Sequence, residues 1–139
     1  MPKLIRLEIS CLESKMISKN EYVKKILQQI LDSIRAIEKL SDKSGDLNLI
    51  KRELLKIIGF FMVLVKKLGT EDFQSNELLE LKSKVESYLQ NYYFIQEIDT
   101  MSPLYSDDSD RIKNMRLKIL ESFEDKKLID KLKNLVEKL

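Results

Sequence analysis

Apolar residues recur along most of this chain at intervals of three and four, which is the spacing of a helix face rather than of a strand. The clearest run is Val23, Leu27, Ile30, Ile34 and Ile37, widened to a broad stripe by Ile26, Leu31 and Leu40. Just ahead of it, Ser18-Lys19-Asn20-Glu21 fits a capping box, so a helix is predicted to start there. The segment before that reads two ways. Ile5, Leu7, Ile9 and Cys11 alternate as in a strand, whereas Ile5, Ile9, Leu12 and Met16 repeat as in a helix. Helix is favoured, because a lone strand would have no partner in so helical a chain.

Ser41 to Asp46 is a turn by composition. Leu47 to Leu68 then reads as a helix closed by Gly69 at the position after its last turn. Within it, Ile57 to Val65 is nearly all apolar, interrupted by Gly59. Such a stretch belongs at the centre of a bundle or in an interface between copies. A glycine in a helix interior is unfavourable and predicts a close helix crossing at Gly59. Thr70 to Ser75 forms a polar link, and a further helix is predicted from Asn76 to Ile98 with Leu78, Leu81, Val85, Leu89, Tyr92 and Ile95 on its stripe. The stretch from Asp99 to Ser109, which holds Pro103, is predicted as the longest loop. A last helical region starts at Ser109 or Asp110 with Ile112, Met115, Ile119 and Phe123 on one face, and continues through Leu128, Leu132, Leu135 and Leu139. Ser122-Phe123-Glu124-Asp125 is predicted to cap a second piece of it. Together these elements predict one all-α domain over residues 1–139, a bundle of five or six mostly antiparallel helices. No internal repeat indicates a solenoid.

Composition agrees: 43% of residues are apolar and 35% charged, with only 3 Gly and 2 Pro to interrupt helices. The single cysteine, Cys11, forms no intrachain disulfide and predicts an intracellular, cytoplasmic protein; it reads as a small buried side chain rather than a nucleophile. The N-terminus lacks a signal-peptide pattern, and Ile57 to Val65 is too short to span a membrane. Charge is unevenly distributed. Residues 1–70 carry 14 basic and 8 acidic groups, residues 71–110 carry 2 and 10, and residues 111–139 carry 9 and 5, so the nets of +6, −8 and +4 make up the overall +2. One reading pairs the acidic middle with the basic ends inside the fold. The other treats Lys24, Lys25, Lys51, Arg52, Lys66 and Lys67, or Arg111, Lys113, Arg116 and Lys118, as a phosphate-facing patch.

The chain has no histidine. That removes the usual base of a nucleophilic triad, Cys/His metal clusters and the Glu-x-x-His motif of di-iron bundles. Gly45, Gly59 and Gly69 are isolated, so no phosphate-cradling loop exists. Asp107, Asp108 and Asp110 lack the glycine and closing glutamate of an EF-hand. Glu77-x-x-Glu80 and Glu121-x-x-Glu124 lack the second acidic half that a magnesium-dependent all-α nucleoside-triphosphate pyrophosphatase needs. No catalytic residue, cofactor or metal is expected.

What remains is a non-enzymatic interaction module that binds a protein partner or a second copy of itself, with a small nucleic-acid-binding or nucleoprotein subunit as the alternative. Self-association is expected through Ile57 to Val65 or the stripe Leu128, Leu132, Leu135, Leu139. The candidate partner-binding residues are Tyr88, Tyr92, Tyr93 and Phe94, beside the acidic Asp99 to Ser109 stretch, because Tyr combines a large contact area with a polar tip.

Overall fold

Six helices follow one another: α1 (Pro2–Glu38), α2 (Asp46–Leu68), α3 (Asn76–Asn91), α4 (Phe94–Tyr105), α5 (Ser109–Asp125) and α6 (Leu128–Lys138). The computed structural model describes residues 2–69, 76–125 and 127–138, with side chains for 20–69, 76–124 and 127–138. There is no strand among the described residues. The ambiguous N-terminal segment is helical backbone, and α1 passes through Ser18 to Glu21 without a break. The capping box therefore starts no helix: its residues sit in helix interior. The side chains of Ser18 and Cys11 lie outside the described residues.

The apolar stripes meet in one core to which all six helices contribute. Val23, Leu27, Ile30, Ile34 and Ile37 of α1 are buried together with Leu54, Ile57, Phe61 and Leu64 of α2. Helix α2 is the central element, packed against α1, α3, α4 and α5, while α6 closes the far side on α1, α3 and α5. The short link at residues 39–45 makes α1 and α2 antiparallel, so Lys67 near the end of α2 lies over the Tyr22 ring of α1; elsewhere Lys138 at the end of α6 reaches Glu77 at the start of α3. Leu128, Leu132 and Leu135 are buried in this core, so they are not available for self-association. Leu139 lies outside the described residues.

The turn into α2 is built from backbone that few residues tolerate. Asp42 and Gly45 both adopt positive φ, 63° and 90°, and the buried Asp46 carboxylate accepts the Lys43 backbone N–H at 2.9 Å. Arg116 of α5 then grips the turn. Its guanidinium donates to both oxygens of Asp42, at 2.8 and 3.1 Å, and to the Glu38 carbonyl. The Asp42 hydrogen bonds, against a smaller desolvation penalty, hold the Arg116 pKa above its ordinary value. Fork-shaped pairing of this kind fixes orientation as well as charge.

Helix α2 ends at Leu68, before Gly69, where the sequence places it, though without the expected cap, and three later boundaries differ from the sequence reading. Gly69 ends α2 in right-handed geometry, φ −78°, with its N–H on the Val65 carbonyl, so it is not used for a left-handed cap. The predicted helix Asn76 to Ile98 breaks at Tyr92 and Tyr93, and α4 then runs through the predicted loop as far as Tyr105, with Pro103 inside it. Pro103 lies in the last turns of α4, where its missing N–H leaves only the carbonyl of exposed Asp99 to be satisfied by water. The true α4–α5 link is Ser106 to Asp108, and the Asp108 carboxylate caps α5 by accepting the Arg111 N–H at 3.2 Å. Finally, Ser122 sits inside α5, buried, and caps nothing; the chain turns after Asp125, where Lys127 adopts φ 54°.

Gly59 is not at a helix crossing. It is exposed, and a Cβ added to it would meet nothing within 4 Å. The apolar run around it is split by the helix period: Ile57, Phe61 and Leu64 are fully buried, whereas Met62 is 61% exposed.

Candidate functional site

The break after Asn91 sorts the aromatic cluster. A helix running straight on would carry all four rings round one cylinder; the interruption lets the rings of Tyr92 and Phe94 stack at 5.4 Å while Tyr93 turns outward. Tyr88 and Phe94 are buried, Tyr92 is half-buried and Tyr93 is 60% exposed. Tyr88 is the hub of the buried part, stacked on Phe123 at 4.9 Å and meeting Phe61 edge-on at 5.5 Å. Its hydroxyl is 2.8 Å from Ser122 Oγ. Ser122 itself donates to the Ile119 carbonyl, so Tyr88 is the donor of the pair. Burial pushes the Tyr88 pKa well above its ordinary value.

Tyr93 stands at the rim of an open groove of about 670 Å³ between α4 and α5. Its hydroxyl donates to the Gln90 carbonyl at 2.7 Å, which fixes the ring's direction. Buried Met115 and half-buried Met101 line the groove, and Gln96, Thr100 and Asn114 add polar groups. The basic side chains at its edges are engaged. Lys118 pairs with Glu97 at 3.1 Å, and the Arg111 guanidinium lies 3.7 Å over the Tyr105 ring and 3.5 Å from Asp108. The groove thus has an adaptable thioether floor, an exposed aromatic on one rim and amide hydrogen-bonding groups. Of the four aromatics singled out in the sequence, its lining contains Tyr93 alone, joined by Arg111 and Lys118 of the candidate basic patch and by Met115 of the α5 stripe. Asp99 and Asp107 point elsewhere, Asp99 to Lys51 at 2.6 Å and Asp107 to the Ser44 hydroxyl. Met101 and Asn114 carry no sequence signal of their own, and Met115 reads only as a member of the α5 stripe; the apposition of α4 and α5 joins them.

The charge map resolves into pairs between elements. Glu77 and Glu80 of α3 meet Lys138 and Lys131 of α6 at 2.6 and 3.0 Å, Glu97 meets Lys118 of α5, and Asp99 meets Lys51 of α2. The acidic middle of the chain is therefore laid against both basic ends. The lysine hydrogen bonds hold the carboxyls of Glu77 and Glu80 below the ordinary glutamate range. Among the described residues no cluster of three or more acidic or thiol ligands could hold an ion, and no helix is long and apolar enough to cross a membrane. No protein-family model, characterised relative or solved structure matches the chain.

Proposed function

We propose that the chain is a non-enzymatic helical interaction module, acting in the cytoplasm, whose partner-facing edge is the α4–α5 groove with Tyr93 as its anchor. The observation that carries this reading is Tyr93, a large aromatic left 60% exposed at the rim of the groove. Exposed aromatics beside a concavity supply much of the energy of protein interfaces. A partner segment would cover Tyr93 and fill the space above Met101 and Met115, with Asn114 and Gln96 meeting its backbone. The nucleic-acid alternative has less support at the α5 patch, because Arg111, Arg116 and Lys118 are each engaged with a carboxylate of the chain itself. Affinity capture from the source cells with wild-type protein and with Tyr93→Ala tests the reading. Tyr93→Ala is expected to stay folded and lose the partner, while retention of every partner by the folded variant would remove the groove from consideration.

A further inference from the structure

The outer face of α2 holds a feature that the isolated molecule does not explain. Gly59 sits in mid-helix, where glycine disfavours helical structure, and nothing inside the molecule requires it, since an added Cβ would meet no atom within 4 Å. On the same face lie Leu55, four residues before it, and Met62, three after it, exposed by 48% and 61%. Half-buried Ile58 and Val65 border them. The result is two apolar knobs with a side-chain-free notch between, the shape that lets a second helix approach closely.

The ends of this face are basic. Arg52 lies three residues before Leu55 and Lys66 four after Met62, both exposed, with exposed Lys56 alongside. Glu53 pairs with Arg52 and Lys56, at 3.7 and 3.3 Å, and so offsets one of the three positive charges that these two make with Lys66, leaving the rim positive on balance. That decides against a second copy as the occupant. Antiparallel pairing centred on Gly59 sets Arg52 of one chain against Lys66 of the other, and parallel pairing sets each base against itself; like charges so placed oppose association.

We propose that this face docks an amphipathic helix of a different protein, which seats a large apolar side chain on Gly59 and presents carboxylates to Arg52 and Lys66. The proposal does not depend on the α4–α5 groove, as the two surfaces share no residue.

The test uses the full chain and two synthetic helical peptides of about four turns, both with a leucine face, one rimmed by glutamates and the other by lysines, followed by fluorescence anisotropy. The glutamate-rimmed peptide is expected to bind at least about tenfold more tightly than the lysine-rimmed one. Gly59→Leu, which fills the notch, is expected to weaken binding about tenfold or more while leaving the protein folded, and Arg52→Glu with Lys66→Glu is expected to reverse the preference between peptides. Equal binding of both peptides, no binding of either, or binding unchanged by Gly59→Leu would overturn the proposal. So would a dimer in light scattering that Gly59→Leu abolishes, which would make the occupant a second copy. Binding to anionic phosphatidylserine vesicles that Gly59→Leu strengthens would make it a lipid surface, and would equally overturn it.

Discussion

Tyr88 and Tyr93 stand five positions apart in sequence, yet one is 2% exposed and the other 60%. Tyr88 stacks on Phe123, meets Phe61 edge-on and donates a hydrogen bond from its hydroxyl to Ser122. Tyr93 lies at the rim of the groove, its hydroxyl donating to the Gln90 carbonyl. The same side chain is thus structural at one position and available for binding at the other. What separates them is position, not residue chemistry: five residues apart, they already face directions about 140° apart on a helix. A cluster of aromatics in a sequence is therefore a mixture of inward and outward rings.

Substitution to alanine should expose the contrast most sharply. Tyr88→Ala leaves a cavity at the hub of the core and is expected to cost about 3–5 kcal/mol of stability, whereas Tyr93→Ala is expected to change stability by no more than about 0.5 kcal/mol. Urea unfolding of the two variants measures both. Comparable losses would mean that Tyr93 is as structural as Tyr88.

A smaller effect separates the two ends of the Tyr88 hydrogen bond. Ser122→Ala strands a buried phenol hydroxyl and is expected to cost about 1–3 kcal/mol, while Tyr88→Phe leaves Ser122 on the Ile119 carbonyl and is expected to cost about 1 kcal/mol. If Tyr88→Phe proves the costlier, the hydroxyl carries more than this single bond.

On the outward side the sign should reverse. Gly59→Ala adds a methyl group into open space and removes backbone freedom from the unfolded chain, so it is expected to stabilise by up to about 1 kcal/mol. A fall in melting temperature would show a close contact at Gly59.

The smallest effect belongs to the exposed pairs of α3 with α6. The carboxyls of Glu77 and Glu80 titrate below their ordinary range because of Lys138 and Lys131. Their contribution to stability is therefore fully present above the unfolded glutamate value of about 4.3, and is lost as pH falls through their lower folded values. The stability difference between wild type and Glu77→Gln/Glu80→Gln should be slight at neutral pH and vanish in acid; a difference that grows on acidification would contradict these pairings.

Where a feature depended on a single helix face, it was legible in the sequence. Val23, Leu27, Ile30, Ile34 and Ile37 repeat at helical spacing and all are buried, and the all-α bundle follows from that and similar stripes. The charge asymmetry pointed to pairing of the acidic middle with the basic ends, although no one-dimensional pattern could match Glu80 with Lys131 or Asp99 with Lys51. What depended on two elements at once was not legible. The break at Tyr92 and Tyr93 involves no breaker residue, because it is the stacking of Tyr92 on Phe94 and the burial of Phe94 that accompany it. Pro103 drew the break to itself although a proline near a helix end costs little when the carbonyl it orphans can reach water. Gly59 invited a crossing, but which side of α2 meets its neighbours is settled by α1, α3 and α4 together. Of the candidate site, Tyr93, Met115, Arg111 and Lys118 were each legible as members of separate patterns, but not their meeting with Met101 in one groove.

The most direct test of the central claim is photo-crosslinking in the source cells, with the reactive group placed at position 93 in one protein and at exposed Lys113, outside the groove lining, in another. The account predicts a discrete adduct with a protein partner from position 93 and none of that mass from position 113. The same adducts from both positions, or none from position 93 in a folded protein, would contradict it.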